Sequence, residues 1–109
     1  MNAFDIFIAY IEWKNSGKKR PVLILEQTET IVTVFNITTQ YETKSEAIRG
    51  KYFKINDWQL AGLDTQSYID TNTVRDLPLS VLEGASAIGT LTKFDIQKLL
   101  EFLTIRNND

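Results

Sequence analysis

The chain of 109 residues contains no cysteine and no histidine. These absences exclude disulfides, thiolate metal sites and thiol nucleophiles, and they also exclude imidazole acid–base chemistry and the most common zinc sites. Catalysis would therefore have to rest on arginine, lysine, carboxylates, hydroxyls and the backbone. A glycine-rich phosphate loop is also missing, because Gly17-Lys18-Lys19 lacks the preceding glycine and the following serine or threonine of a P-loop. We expect neither nucleotide hydrolysis nor a cofactor.

Long hydrophobic runs are scarce as well. The first residues, Met1 to Asp5, lack the basic region of a signal peptide, and Asp5 and Glu12 interrupt the only early apolar run. No run approaches the length of a membrane span. We therefore expect no targeting segment and a cytoplasmic location, and the length predicts a single domain over residues 1–109.

The acidic residues do not indicate a metal site. Asp64 with Asp70, or Asp70 with Asp76, are the pairs that could bind a divalent cation. Their spacing matches no loop signature, and surface carboxylates are more often simply solvated. We therefore expect no bound metal.

Charge is unevenly distributed along the chain. The net charge is -2, but residues 1–54 carry eight Lys/Arg against six Asp/Glu, whereas residues 55–109 carry four against eight. The cations cluster at residues 14–20 and 44–54. A nucleic-acid role would have to come from such a local patch, because the whole chain is not basic. The alternative is that these lysines lie on solvated loops.

Strand-forming segments occupy most of the chain, and one helical segment follows them. The predicted strands lie at residues 4–13, 22–26, 30–38, 48–55, 67–71, 73–77 and 85–90, with a loop at residues 14–19. Thr92-Lys93-Phe94-Asp95 has the form of a capping box, and apolar residues at helical spacing follow it to about residue 105. The pattern predicts a mainly β fold with a C-terminal α-helix, arranged as a small, antiparallel, partly closed barrel.

The second and third predicted strands each adjoin a polar cluster. These two clusters consist of Lys18, Lys19, Arg20, Thr38, Thr39 and Gln40. If the two strands pair as an antiparallel hairpin, Arg20 and Thr38 lie at the same edge of the sheet. A guanidinium can grip a phosphate through two parallel hydrogen bonds while hydroxyls and amides supply further donors. The residue types alone nevertheless favour solvated lysines beside ordinary β-branched strand residues.

Several short motifs, in their order along the chain, resemble one known family. They are Phe4-Asp5-Ile6-Phe7, Lys19-Arg20-Pro21-Val22-Leu23-Ile24-Leu25, Ile37-Thr38-Thr39-Gln40, Gly62-Leu63, Ser67-Tyr68-Ile69 and Ile88-Gly89-Thr90-Leu91. Each motif is weak alone, but together they cover nearly the whole chain. In order and spacing they resemble the MazF/PemK toxins of bacterial toxin-antitoxin systems.

The resemblance implies an SH3-like barrel that forms a homodimer and cleaves single-stranded RNA without metal. It also implies a cognate antitoxin whose C-terminal segment occupies the RNA site. The arginine and threonine of the family's active site match Arg20 and Thr38, and its glutamine matches Gln40. The implied nucleophile is the 2'-hydroxyl of the substrate, which leaves a 2',3'-cyclic phosphate and a 5'-hydroxyl. Lys18, Lys19, Thr39 and Gln40 are then expected to bind RNA.

Two departures from the family pattern leave the general base unassigned. The first loop, residues 14–17, is shorter than in many members and carries no acid, and strand one begins Ala3-Phe4-Asp5 where the family more often has Arg-Gly-Asp. The alternative function is a non-catalytic barrel of the same fold, either a CcdB-like gyrase-binding toxin or a peptide- or RNA-binding module. Arg20 with Thr38 favours the enzyme.

Dimerisation would bury apolar surface. The candidate surfaces are the segment that contains Trp58, Leu60 and Leu63, and the apolar face of the last helix. Packing within the core explains each of these residues equally well.

Overall fold

A computed structural model describes residues 1–13 and 16–107 of the chain, which form one antiparallel sheet and a C-terminal helix. The strands are β1 (Asp5–Trp13), β2 (Ser16–Gln27), β3 (Ile31–Thr38), β4 (Tyr52–Lys54), β5 (Tyr68–Pro78) and β6 (Ala87–Thr90). The helices are α1 (Glu46–Arg49), a 3-10 turn (Leu79–Leu82) and α2 (Lys93–Asn107). The predicted mainly β fold with a closing helix is confirmed. No helix among these residues has both the length and the apolar character that a membrane crossing requires.

The sheet has six strands in the order β4-β5-β3-β2-β1-β6, and every pairing is antiparallel. Its two edge strands, β4 and β6, do not pair with each other among the described residues, so hydrogen bonds do not close the sheet into a barrel. A turn over residues 56–63 instead runs from the β4 edge to the β6 edge. There Gly62 has φ +92°, and a Cβ at this position would overlap the carbonyl oxygen of Ile88.

Both faces of the sheet are covered, which explains why the strands alternate only loosely between apolar and polar residues. The first core packs against α2 and the turn over residues 56–63, and it includes Ile6, Leu23, Phe35, Ile69 and Leu99. The second core packs against the 3-10 turn, and it includes Phe7, Ala9, Val22, Val34 and Leu82. Neighbouring residues of β1 therefore contribute to opposite cores.

Asp95 joins the start of α2 to the turn over residues 56–63. Its side chain is fully buried. The Asp95 carboxylate accepts hydrogen bonds from the backbone N–H of Asn56 at 3.0 Å, the side-chain amide of Asn56 at 2.8 Å and the backbone N–H of Asp57 at 2.7 Å. The backbone N–H of Asp95 donates to the Thr92 hydroxyl at 3.2 Å. The predicted capping hydroxyl is therefore confirmed, while the carboxylate holds the turn.

Strand β2 is longer than predicted, and it includes part of the segment expected to be a loop. Residues 17–20 pair with β1, with Arg20 opposite Ala9, whereas pairing with β3 begins only at Val22, opposite Asn36. Pro21, which lacks an N–H, lies where β2 changes from pairing on one side to pairing on both. The first part of β2 is thus open on the side where Thr38 ends β3. Residues 14 and 15 of the predicted loop lie outside the described residues.

Two further strand predictions were wrong in their bounds. The segment predicted as one strand at residues 48–55 begins as α1, capped by the Ser45 hydroxyl, and only residues 52–54 pair as β4. The two strands predicted at residues 67–71 and 73–77 are one strand, β5, that contains a bulge. Phe35 pairs with Val74 but Asn36 pairs with Asp70, so residues 71–73 have no partners in β3.

The bulge in β5 is held from two sides. The Thr71 hydroxyl donates to the carbonyl of Lys51 at 2.6 Å, and the Arg106 guanidinium near the end of α2 donates to the Thr71 carbonyl at 2.9 Å. Because three residues are inserted, Asp70 replaces residue 73 at the position opposite Asn36. The insertion therefore determines which side chain of β5 faces Asn36.

Candidate functional site

One cleft contains every site residue that the sequence predicted. It has a volume of about 350 Å³ and lies where β2 and β3 diverge. It is lined by Lys18, Lys19, Arg20, Pro21, Ile37, Thr38, Thr39, Gln40 and Ser67. We call it the Arg20–Thr38 cleft. The hairpin thus brings the cations of one strand beside the hydroxyls and the amide of the other, as expected from antiparallel pairing.

The last residue of β3, Thr38, has a fixed hydroxyl. Its Oγ1 accepts a hydrogen bond from the backbone N–H of Gln40 at 3.0 Å, where the chain turns away from the sheet. A threonine hydroxyl also carries one donor hydrogen. With the oxygen held by the turn, that hydrogen can be donated to a ligand in the cleft.

The guanidinium of Arg20 is solvent-exposed in the open part of β2. Among the residues whose side chains the structure describes, 1–11 and 17–106, ion pairs join Arg49 to Glu42 and Lys98 to Glu101, and none involves Arg20. Its exposed donors can face an anionic ligand in the cleft, and its planar group matches phosphate in a bidentate arrangement.

A second cleft adjoins the first and shares Lys18 and Arg20 with it. Its volume is about 640 Å³. It is lined by Ile11, Gly17, Lys18, Arg20, Asn36, Lys44, Asp70 and Arg75. We call it the Asn36–Asp70 cleft. Four cations and one carboxylate line it, so the local charge is positive although the chain as a whole is negative.

Two polar side chains of the second cleft face each other across paired strands. Asn36 and Asp70 are opposite one another in β3 and β5. The Asn36 Oδ1 atom is buried and has no hydrogen-bond partner among the described residues. Asp70 accepts a hydrogen bond from the backbone N–H of Asn72 at 2.9 Å. Burial, together with the charge of Asp70, raises the pKa of Tyr52 on β4.

Sequence reasoning missed the role of the second cleft. The sequence indicates Asp70 only as a possible metal ligand, and Asn36 and Arg75 simply fall within predicted strands. The bulge that places Asp70 opposite Asn36 has no clear sequence signal, because residues 71–73 are as polar as a turn between two strands. Only the strand register brings these side chains together.

An aromatic stack lies beside the Arg20–Thr38 cleft. The rings of Tyr41 and Tyr68 are parallel within 7°, with centroids 4.3 Å apart, and the Arg49 guanidinium lies 5.8 Å from the Tyr41 centroid. Tyr68 pairs with Thr38 in the sheet. The stack therefore anchors the segment that follows Thr38 to β5.

The predicted dimer surfaces differ in exposure. Leu63 is buried and Trp58 packs against the first core, whereas Leu60 is 77% exposed. On α2, the exposed apolar residues are Phe94, Leu100 and Ile105. Core packing thus accounts for Leu63 and Trp58, and the other residues remain available to a partner.

The arrangement can bind a phosphodiester between a guanidinium and a hydroxyl, with two lysines lining the same cleft. In the ranges 1–11 and 17–106, where side chains are described, no group of three or more acidic, histidine or cysteine side chains is placed to hold a metal ion. Comparison with known proteins finds no family model and no curated protein that matches the chain. The proposed function therefore rests on the geometry of the two clefts.

Proposed function

We propose that this protein is a metal-independent endoribonuclease of the MazF/PemK type that cleaves single-stranded RNA. The observation that supports this proposal is the shared cleft of Arg20 and Thr38, where a guanidinium without an ion-pair partner among the described residues lies with a fixed hydroxyl. Lysines at both clefts supply the positive potential that attracts a phosphate chain. The negative net charge of the chain fits a local RNA site better than general nucleic-acid coating.

The proposed reaction is attack of the substrate 2'-hydroxyl on the adjacent phosphorus. The bond from phosphorus to the 5'-oxygen breaks, the 2'-oxygen loses its proton and the 5'-oxygen gains one, which gives a 2',3'-cyclic phosphate and a 5'-hydroxyl. Arg20 donates to the phosphate oxygens as negative charge accumulates on them. Its guanidinium carries hydrogen-bond donors and no acceptor, so it is unsuited to take the 2'-proton as a general base. Thr38 donates its hydroxyl hydrogen to the phosphate or to the 2'-oxygen.

The same proposal includes the assignment of this fold to the SH3-like barrels of the MazF/PemK type. An SH3-like barrel of the MazF/PemK type would have an antiparallel sheet that curls until its ends approach. In the present fold the turn over residues 56–63 bridges the edges β4 and β6, with the Gly62 backbone against Ile88. This contact supports a partly closed barrel, whose two edges are connected by packing and not by strand pairing.

We further propose a cytoplasmic toxin that forms a homodimer and is neutralised by a cognate antitoxin. The exposed apolar side chains of Leu60, Phe94, Leu100 and Ile105 support a protein partner. An antitoxin segment with acidic residues would complement the cations of the Arg20–Thr38 cleft. Sedimentation that shows a monomer at micromolar concentration would contradict the dimer.

The test of cleavage uses purified protein, mixed-sequence RNA and EDTA, with the product ends identified by mass spectrometry. We expect cyclic phosphate ends, and we expect Arg20→Ala and Thr38→Ala each to lower the rate about 100-fold or more, as for loss of one donor to a developing charge. Arg20→Lys should be intermediate, because it keeps the charge and loses the bidentate geometry.

Two exposed residues outside both clefts provide matched controls. Lys93→Ala removes a cation from α2, and Thr30→Ala removes a hydroxyl from the turn before β3. Both variants should cleave at the wild-type rate. Intact RNA with the wild-type protein, or equal cleavage by Arg20→Ala, would refute the proposed enzyme.

A further inference from the structure

The Asn36–Asp70 cleft is large enough for a nucleotide and is placed to receive one. Its volume of about 640 Å³ lies within the range of small-molecule pockets, roughly 300–1,000 Å³. Lys18 and Arg20 line both clefts, so a phosphate bound at Arg20 in the first cleft borders the second. A nucleotide attached to that phosphate can therefore extend into the Asn36–Asp70 cleft.

The two facing polar side chains of this cleft offer hydrogen-bond acceptors. Directly paired residues of antiparallel strands have Cβ atoms about 4.5–5.5 Å apart on the same face, which applies to Asn36 and Asp70. The buried Oδ1 atom of Asn36 has no partner among the described residues. Buried polar atoms are nearly always hydrogen-bonded, and an unpartnered one calls for an explanation. A donor supplied by a ligand would satisfy it.

The Asp70 carboxylate determines which hydrogen-bond donor of a ligand can bind in this cleft. An ionised carboxylate accepts only, and after its bond to the N–H of Asn72 it retains further acceptor capacity. An exocyclic amino group has two N–H hydrogens and can donate one to each of two acceptors. Adenine and cytosine carry such a group on the edge used in base pairing, and guanine carries one beside its N1–H. Uracil presents a carbonyl oxygen in that position, which a carboxylate would repel.

The remaining charges of the cleft suit the sugar-phosphate backbone of such a nucleotide. Lys44 and Arg75 line the cleft together with Lys18 and Arg20. Arg75 is opposite Val34, on the same strand pair that carries Asn36 and Asp70, so it lies beside them on one face of the sheet. Cations thus border the acceptor pair and can contact phosphates on either side of a bound base.

We propose that the Asn36–Asp70 cleft binds an RNA base bearing an exocyclic amino group, next to the phosphate held by Arg20. The inference rests on the proposed function for the identity of the ligand as single-stranded RNA. It adds a specificity determinant, in which Asn36 and Asp70 accept hydrogen bonds from the amine and the carboxylate excludes uracil. The bulge over residues 71–73 is the structural feature that builds this pair.

The test measures binding separately from cleavage. The probes are fluorescent tetranucleotides with 2'-O-methyl groups throughout, which lack the nucleophile and cannot be cleaved by 2'-hydroxyl attack. Tetrauridylate is compared with oligonucleotides that carry one adenosine at each position in turn, and with the same oligonucleotides in which purine riboside replaces adenosine. Purine riboside differs from adenosine only by the missing amino group. We expect one adenosine position to bind about ten-fold tighter than either uridine or purine riboside there.

The protein variants identify the acceptors. Asp70→Asn should reduce the adenosine preference to near unity, because the new amide can also donate to a carbonyl, and Asn36→Ala should weaken the adenosine oligonucleotide alone. Asp64→Asn is the matched control, since this exposed aspartate lines neither cleft, and it should retain the wild-type preference.

Several outcomes would overturn the inference. They are equal binding of adenosine and purine riboside, no binding of any oligonucleotide, and a uniform loss of affinity for all oligonucleotides in Asp70→Asn. RNA cleavage that depends on Arg20 but shows no amine preference would overturn this inference and leave the proposed enzyme standing. An amine preference without any cleavage of ordinary RNA would support the cleft and refute the enzyme. If Asp70→Asn instead slowed cleavage of all sequences equally and altered the pH–rate profile, Asp70 would be a general base and not a specificity determinant.

Discussion

The buried carboxylate of Asp95 offers the sharpest test of how the fold is held together. Its Oδ1 atom accepts from the backbone and the side-chain amide of Asn56, and its Oδ2 atom accepts from the backbone of Asp57. No other residue of α2 is bonded to that turn by its side chain among the described residues. Asp95→Asn keeps the shape of the side chain but can place its single oxygen at only one of the two sites.

The expected loss follows from these three bonds. A hydrogen bond to a charged group contributes about 1.5–3 kcal/mol net, and a buried donor left unsatisfied costs about 1–3 kcal/mol. Asp95→Asn loses at least one of these hydrogen bonds, and its new amide group points an N–H toward another N–H donor. We therefore expect the free energy of unfolding to fall by about 2 kcal/mol. Asp95→Ala loses all three bonds, and we expect about 3–5 kcal/mol. Domains are stable by only about 5–15 kcal/mol.

Urea unfolding followed by tryptophan fluorescence and circular dichroism measures these losses. The matched control is Glu101→Ala, which removes an exposed carboxylate of α2 from its pair with Lys98 and should change stability by less than about 0.5 kcal/mol. If Asp95→Asn unfolds at the same urea concentration as Glu101→Ala, the turn over residues 56–63 is not held by this carboxylate. The assigned link between α2 and the sheet edges would then be wrong.

Two other predictions concern the ionisation of Tyr52 and the close approach of the Gly62 backbone to Ile88. The pKa of Tyr52 is raised above its ordinary value of 10.0 by burial and by Asp70, so the unfolded chain ionises first as pH rises. The contribution of Tyr52 to stability should therefore be constant below about pH 9 and fall above about pH 10, and Tyr52→Phe should reduce the alkaline fall in unfolding curves; an unchanged curve would contradict the assignment. Gly62→Ala should destabilise the fold more than Gly84→Ala, because both glycines have positive φ but only Gly62 has backbone where a Cβ would lie. Thermal unfolding compares the two, with about 1 kcal/mol expected for Gly84→Ala alone, and equal losses would refute the close approach.

Sequence patterns predicted the elements whose formation depends on residues close together in the chain. The apolar periodicity and the Thr92 cap gave α2, and the run of β-branched residues gave β3 and its hairpin with β2. From the hairpin alone, Arg20 and Thr38 could be placed together, because antiparallel pairing fixes which strand ends are neighbours. The Arg20–Thr38 cleft was therefore accessible from the sequence.

The features that the sequence did not reveal depend on register and on long-range contacts. Polar residues 71–73 have the composition of a turn, and the contacts that keep them within a single strand come from Lys51 and Arg106, which are distant in sequence. The length of β2 was underestimated because Lys18 and Lys19 have low strand propensity, whereas pairing with β1 decides their conformation. The Asn36–Asp70 cleft needs both features, since all its lining residues except Lys44 come from β1, β2, β3 and β5.

The polar side chains of this fold form two groups. Some are bonded to other described residues of the chain, and others have no such partner among them. Asp95 and Thr71 are buried and bonded to groups far away in sequence, so their bonds hold elements together. Asn36 has a buried oxygen without such a partner, and Arg20 forms no ion pair among the described residues. Folding alone gives no reason to keep an unsatisfied amide beside a cluster of cations, because an apolar side chain opposite Asp70 would cost less. The proposed RNA ligand, which brings both an anion and a hydrogen-bond donor, would supply that reason.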